Sequence, residues 1–120
     1  MATTLTRSLI RSKKLLDAAR DQACVNCGAT DGTVVAAHYT GLRSHRFGKG
    51  TGHKPHDLCI ADLCQRCHYK FDVAADRGTF AKKVDQSEQF LFLIIQTLIR
   101  RIDQGVITVK GHKGSSDDFS

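Results

Sequence analysis

Apolar residues recur at helical spacing near both ends of the chain. The N-terminal set predicts a helix over residues 6–22, and the C-terminal set predicts a helix over 85–102. Asp85 and Glu88 have the spacing of a capping box and place the start of the second helix at residue 85. The residues that carry the first pattern are Leu5, directly before the helix, and Leu9, Leu16 and Ala19 within it. Those that carry the second are Leu91, Ile95, Leu98 and Ile102.

The helix over 85–102 carries more apolar residues than one buried face requires. Most of them are expected to pack in the core beneath the rest of the domain. Any apolar strip left exposed is the kind of surface that binds another protein, and it makes a homodimer through this helix one possible assembly. The additional apolar residues are Phe90, Phe92, Leu93, Ile94 and Ile99.

Between the two helices the pattern changes to short runs that are typical of strands. Residues 33–37 contain Thr, Val and Ala, and the run ends at His38. Residues 57–63 form a second such run, in which Cys59 is expected to be a buried strand residue. Two short strands with a long connection between them are therefore predicted in the middle of the chain.

Apolar positions after the second strand predict a further helix over residues 64–75, which Gly78 ends. Residues 106–109 can add a short strand, and 111–120 have the composition of a disordered polar tail. Strands and helices in this order predict a small domain of the α+β class over residues 1–110.

Four of the five cysteines form two Cys-x-x-Cys pairs, Cys24 with Cys27 and Cys64 with Cys67. Two residues between paired ligands let a tight turn direct both sulfurs at one zinc ion. Buried thiols and disulfides are the alternatives, but the cysteine count is odd and the chain start lacks the apolar stretch of a secretory signal. The sequence therefore predicts one structural Zn²⁺ on these four residues, with Cys59 left over.

Size and charge narrow the class of partner. A chain of 120 residues buries a modest core, to which a metal clip adds stability. The formal net charge of +6 and the pI near 9.3 favour an anionic partner, for which nucleic acid is the commonest choice. No apolar run reaches the length of a membrane span, so we expect no membrane partner and a cytoplasmic location.

Basic residues concentrate in two places that can contact phosphate. Arg7, Arg11 and Lys14 share one face of the N-terminal helix, although a solvated face is the favoured interpretation. Residues 40–55 are rich in glycine and basic residues and are predicted to form a long loop, which is usually functional or disordered. The candidate nucleic-acid contacts in this loop are Arg43, His45, Arg46, Lys49 and Lys54.

The second cysteine pair continues directly into His68, at the start of the predicted helix. Asp72 follows four residues later, so both side chains lie on one face, one turn apart. This geometry suits two ligands of one divalent ion. The alternative is an ordinary surface pair of a histidine and a carboxylate.

Several short segments resemble the HNH endonuclease superfamily, and most closely the small HNH-type proteins of phages and prophages. The resemblance covers residues 24–72 and implies a ββα-metal motif on a treble-clef zinc scaffold, with a core at about 24–76 and flanking helices. It also implies a bacterial host cell and a role in phage DNA metabolism or recombination. The segments are Ala18-Ala19-Arg20, Ala37-His38, Thr40-Gly41-Leu42, Gly50-Thr51-Gly52, Lys54-Pro55, Asp57-Leu58 and Cys64-x-x-Cys67-His68.

The resemblance implies roles for individual residues. His38 falls on the general base that activates water, His68 on a ligand of the catalytic ion, and Asp72 on a further ligand. The motif asparagine is replaced by Cys59 or by Asp57, depending on how the motif is aligned, and Asp57 is favoured because a carboxylate can orient the base, which a cysteine does poorly. Ala37 stands where many members have a ligand, so His38 is also a candidate ligand of that ion.

The function implied by the resemblance is metal-dependent hydrolysis of phosphodiester bonds in DNA. Mg²⁺ or another divalent cation on His68 and Asp72 would serve the reaction, with His38 and Asp57 as further catalytic residues. The alternative is a non-catalytic zinc module that binds DNA or a protein through a decayed HNH site. RNA stays open as a substrate in place of DNA.

Overall fold

The computed structural model describes residues 8–50, 52–72 and 78–112 and has the α+β class expected from the sequence. Across those ranges, a two-stranded sheet is accompanied by three α-helices and one short 3-10 helix. None of the described helices combines the length and apolar character needed to cross a membrane. In chain order the elements are α1 (Lys13–Asp17), β1 (Val35–His38), the 3-10 helix (Ser44–Phe47), β2 (Ile60–Leu63), α2 (Gln65–Asp72) and α3 (Phe80–Asp103).

The two strands form an antiparallel ribbon in which Val35 pairs with Leu63 and His38 pairs with Ile60. Successive side chains of a strand point to opposite faces, so Ala37 is buried while its neighbour His38 is partly exposed. β2 is buried along its whole length because α3 packs against it. The register therefore places His38 at one end of the ribbon and the second cysteine pair at the other.

Both strands are shorter than the sequence pattern predicted. β1 begins at Val35, two residues after the predicted start, and includes His38. β2 begins at Ile60 because residues 57–59 form a turn and a bend instead of extended strand. Cys59 therefore precedes the strand and is half-buried, which corrects the expectation of a fully buried strand residue.

An aromatic cluster joins the start of the β1–β2 connection to α2 and α3. The Tyr39 and Phe90 rings meet edge to face with centroids 5.3 Å apart, and Phe71 lies 5.2 Å from Phe90. The Tyr39 hydroxyl shares a hydrogen bond with the Ser87 hydroxyl. A Cβ at Gly41 would overlap both the Tyr39 ring and Ser87, so only glycine fits there. This cluster fixes α2 relative to the end of β1.

α3 begins at Phe80, five residues before the predicted start. The hydroxyl of Thr79 accepts a hydrogen bond from the backbone N–H of Lys82 at 3.2 Å and caps the helix. The capping box predicted at Asp85 is therefore wrong, because Asp85 lies inside the helix.

A strip of apolar side chains on α3 is more than half exposed, and the homodimer through this helix stays a prediction. The strip consists of Phe92, Ile95 and Ile99.

A buried ion pair joins β2 to the C-terminal end of α3. The Arg101 guanidinium donates two hydrogen bonds to the Asp62 carboxylate, and both side chains are completely buried. Arg100 donates a further bond to Asp62 at 2.9 Å. The Arg101 Nε–H also binds the backbone carbonyl of Leu15 at 2.9 Å. Strand, C-terminal helix and α1 therefore meet at one charged contact that the sequence pattern did not predict.

The N-terminal helix predicted over residues 6–22 is present only as the short α1, and residues 1–7 lie outside the described part of the chain. Ser12 ends the helix on its N-terminal side because its hydroxyl accepts a hydrogen bond from the Leu15 N–H at 3.3 Å. The backbone at Ile10 bonds to Asp57 instead, because the Asp57 N–H donates to the Ile10 carbonyl at 2.9 Å. Ile10 and Arg11 therefore contact the strand connection instead of extending the helix.

The strand predicted at 106–109 is also wrong. The N–H groups of Val106 and Ile107 donate to the Arg101 carbonyl at 2.9 and 3.2 Å, so the chain closes the end of α3 instead. The helix predicted over 64–75 is described as far as Asp72, and 73–75 lie outside the described residues. The same holds for residues 113–120 of the predicted tail.

Candidate metal centre and active site

The four paired cysteines converge although they come from two remote segments. Cys24 and Cys27 flank a turn that precedes β1, Cys64 follows β2 directly, and Cys67 lies in the first turn of α2. Their four Sγ atoms all lie within 4.8 Å of one another, with Cys27 Sγ and Cys64 Sγ 3.6 Å apart. Tetrahedral zinc with bonds of about 2.3 Å needs sulfur separations of about 3.8 Å. The cluster can therefore hold a metal ion such as zinc.

The electrostatics of the cluster also favour a cation. Burial raises the pKa of the Cys24 thiol, but backbone N–H donors, including that of Cys64, outweigh it and lower the pKa to about 7. Burial raises the pKa of the Cys67 thiol to about 12, although the Asn26 amide donates to its sulfur at 3.3 Å. Four crowded sulfurs become thiolates together only when a dication compensates their charge.

Cys59 lies apart from this cluster. Burial raises the pKa of its thiol to about 11, so it is a neutral, half-buried side chain. All five cysteines belong to the described residues, and none of them is joined in a disulfide. The cysteine pairing that the sequence predicted for a metal site is thus the pairing that the fold brings together.

A cleft of about 270 Å³ opens beside the end of β1. His38 enters it from the strand, whereas His68 and Asp72 enter it from α2. The other residues that line the cleft come from β1 or from the connection between the strands. They are Ala36, Ala37, Thr40, Lys49, His53, Lys54 and Pro55. Three of the predicted site residues therefore share one cavity with two of the predicted basic residues.

His38 and Asp57 form a hydrogen-bonded pair at the edge of this cleft. His38 Nε2 lies 2.8 Å from Asp57 Oδ1, and the two side chains are 12% and 4% exposed. Burial raises the pKa of the Asp57 carboxyl. The hydrogen bond with His38, the Ser12 N–H and the Arg11 charge lower the pKa by more than burial raises it, so the net shift is downward. Asp57 is therefore an ionised acceptor held against the imidazole.

The contact with Asp57 selects the tautomer of His38. A carboxylate only accepts hydrogen bonds, so in the neutral imidazole we assign the proton to Nε2. Nδ1 then carries the lone pair. A histidine whose one nitrogen is fixed by a carboxylate is oriented for proton transfer at the other nitrogen.

His68 and Asp72 lie one turn apart on α2, and His68 Nε2 is 4.0 Å from Asp72 Oδ2. Their side chains are 40% and 48% exposed, so both can reach a ligand from solvent. Among the residues that the structure describes, only the four cysteines form a group of three or more gathered metal ligands. A cation on His68 and Asp72 would therefore complete its coordination with water or phosphate oxygens, as Mg²⁺ commonly does.

The basic residues predicted to bind nucleic acid divide into two groups. Lys49 and Lys54 line the cleft. Arg43, His45 and Arg46 lie at the 3-10 helix, where all three are exposed outside the cleft lining. Lys49, Lys54 and the 3-10 helix all belong to the connection between the two strands. This connection therefore presents positive charge both inside the cleft and next to it.

Other residues contribute to the site without having been predicted to do so. Arg11 and Ser12 both donate hydrogen bonds to Asp57, and Ile10 N donates to His56 Nδ1 at 2.9 Å. The Thr40 hydroxyl donates to the Phe71 carbonyl at 3.2 Å and lines the cleft. The sequence marked Ser12 only by the capping preference of serine and Arg11 only as part of a basic helix face. Neither pattern indicates Asp57 as a partner, because these contacts join residues 45 and 46 positions apart.

The described part of the chain thus brings together three features, which are the cysteine cluster, the His38–Asp57 pair and the basic cleft. No protein-family model, curated protein or solved structure matches the chain.

Proposed function

We propose that this chain is a metal-dependent endonuclease of the HNH type that hydrolyses phosphodiester bonds in DNA. The observation that carries the proposal is the single cleft that holds His38, His68 and Asp72, with Asp57 hydrogen-bonded to His38. Geometry of this kind supplies a proton acceptor and two cation ligands at one place. Lys49 and Lys54 line the same cleft and suit an anionic substrate.

The arrangement of elements supports the HNH interpretation. Two antiparallel strands lead through Cys64 directly into α2, and the site residues lie on the first strand and on that helix. This is the order of a ββα-metal motif. In the treble-clef interpretation, one zinc ion on Cys24, Cys27, Cys64 and Cys67 would tie the ribbon to the helix and hold the two halves of the site together.

Each protein group has a defined role in the proposed reaction. A divalent cation on His68 and Asp72 would polarise the phosphate and stabilise the charge of the leaving oxygen. His38 accepts, at Nδ1, a proton from the water that attacks phosphorus. Asp57 keeps Nε2 protonated and stabilises the imidazolium that forms. Lys49 and Lys54 neutralise the phosphates that flank the scissile bond.

Positive charge outside the cleft supports a polymeric substrate in preference to a small phosphate ester. The formal net charge is +6, and Arg43, His45 and Arg46 present exposed side chains beside the cleft. Phosphate contacts of this kind position a backbone without reading its sequence. Nicking of plasmid DNA with little sequence preference is the activity that this surface fits best.

Substituting His38→Ala is expected to reduce cleavage of supercoiled plasmid DNA by at least about 100-fold in Mg²⁺ or Mn²⁺, because proton transfer to a positioned base contributes about that factor. Conversion to the nicked form is measured on agarose gels over time. His112→Ala is a matched control, since His112 is exposed and lies outside the cleft lining. Zinc content is measured for every protein, so that loss of the fold is recognised.

Equal cleavage by wild type and His38→Ala would reject His38 as the base. Absence of cleavage in both proteins, with zinc bound and DNA retained, would favour the second candidate function, a non-catalytic zinc module that binds DNA or a protein. One observation favours that alternative. Ala37 stands where many members of the superfamily carry a metal ligand, and its side chain has no ligating atom.

A further inference from the structure

We infer that Arg11 is a positioning residue of the proposed nuclease site, and that it acts by holding Asp57 in contact with His38. The inference rests on the proposed function. Residues 10–12 run alongside the turn that contains Asp57. The Ser12 N–H donates to Asp57 Oδ2 at 2.7 Å, and the Ile10 carbonyl accepts from the Asp57 N–H at 2.9 Å. The carboxylate is thus fixed from the N-terminal segment on one side and from His38 on the other.

The Arg11 guanidinium ties this turn together through three acceptors. Nη1 donates to the Pro55 carbonyl at 2.6 Å and to Asp57 Oδ1 at 3.3 Å, while Nη2 donates to the Lys54 carbonyl at 2.7 Å. The planar fork of arginine can bind several acceptors at once in a fixed geometry, whereas a lysine ammonium is a single point charge. The geometry therefore requires arginine, and not only a positive charge, at position 11.

This fork acts on both parts of the site. Asp57 orients His38, and Lys54 and Pro55 line the cleft. Without Arg11, the carboxylate loses a charged partner and the adjacent cleft wall loses two hydrogen bonds. The expected consequence is a base that spends less time in the reactive tautomer. DNA binding should change little, because the fork binds the backbone carbonyl of Lys54 and not the ammonium groups of Lys49 or Lys54, which are the proposed phosphate contacts.

The competing role for Arg11 is direct contact with a DNA phosphate, since its side chain is 44% exposed. The two roles differ in kinetics. Loss of a positioning residue lowers kcat, whereas loss of a phosphate contact made equally in the ground and transition states raises KM alone. Arg20→Ala is the matched control, because Arg20 is an exposed arginine that pairs with Asp17 and lies outside both the cleft lining and the basic helix face.

The test measures kcat and KM for cleavage of a labelled DNA duplex by wild type, Arg11→Ala, Arg11→Lys and Arg20→Ala. Arg11→Ala and Arg11→Lys are both expected to lower kcat about 10-fold, the lower end of the range for residues that orient an active-site group, with KM changed less than twofold. Methylguanidinium is expected to restore part of kcat in Arg11→Ala but not in His38→Ala. A raised KM with unchanged kcat in Arg11→Ala overturns the inference.

A second measurement needs no cleavage. Long-range ¹H–¹⁵N NMR spectra report which nitrogen of His38 carries the proton, and the expected change is from Nε2–H in wild type to a tautomer mixture in Arg11→Ala, with zinc content unchanged. If wild type cleaves no DNA, the proposed function fails, and this tautomer change still supports the hold of Arg11 on the pair. Unchanged tautomer in that case overturns the inference as well. Arg11→Lys serves the same measurement if Arg11→Ala does not fold.

Discussion

Purified protein is expected to contain one zinc ion per chain and to unfold when that ion is removed. Structural zinc contributes about 10–16 kcal/mol in small zinc domains, whereas whole domains are stable by about 5–15 kcal/mol. The cluster joins the turn before β1 to the start of α2, and the apolar core between them is small. Loss of zinc therefore removes more free energy than the remaining contacts supply. Chelation followed by far-UV circular dichroism is the measurement.

The chain offers a matched pair of cysteine variants for this prediction. Cys64→Ser removes one of the four gathered sulfurs and is expected to abolish stoichiometric zinc and cooperative thermal unfolding. Cys59→Ser changes a half-buried thiol outside the cluster, so zinc content should stay at one per chain. Elemental analysis gives the stoichiometry. A folded Cys64→Ser protein with the wild-type melting temperature would refute the structural role of the cluster.

Substituting Arg101→Ala is expected to lower the free energy of unfolding by about 3–5 kcal/mol, because it leaves a charge buried without its main partner. Asp62 and Arg101 are both completely buried, so water cannot replace the lost hydrogen bonds. Arg100 retains one bond to Asp62 but cannot restore the paired contact. Urea denaturation of the zinc-loaded protein measures the difference.

Arg20→Ala provides the control for lost positive charge, since the Arg20 side chain is 76% exposed and its ion pair with Asp17 is 3.7 Å long. Its effect should stay below about 0.5 kcal/mol. The double variant with Asp62→Ala tests the pair itself. It should be less destabilised than the sum of the two single variants, because removing both charges leaves neither one uncompensated. Strict additivity would show that the two side chains stabilise the fold independently.

The parts of the fold that sequence predicted are those set by local spacing. Two residues between cysteines, and three between His68 and Asp72, fix geometry within a single turn. The run that ends at His38 likewise has the composition of a strand. The metal cluster, the first strand and the helix with its site residues therefore follow from short patterns, although their boundaries shift by a few residues.

The parts that sequence did not predict depend on contacts between distant residues. Arg11 was assigned to a basic helix face, because nothing near it indicates that carbonyls more than 40 positions away will bind its guanidinium. Asp62 occupies a strand position where burial of a charge is unexpected until Arg101 is placed beside it. Thr79 caps α3 although the Asp85–Glu88 spacing resembles a cap more closely. For Arg11 and Asp62 a tertiary contact overrides the local preference, whereas at Thr79 one local cap replaces another.

The strand ribbon described above also bears on how such a site can diversify. The sulfur cluster holds one end of the ribbon, and the register fixes His38 at the other, so the two strands keep their alignment independently of the segment that links them. Insertions or deletions between the 3-10 helix and Lys54 would alter the rim of the cleft while leaving His38 in place. For the proposed nuclease, such changes would alter which DNA backbone the cleft accepts without moving the residues proposed for catalysis.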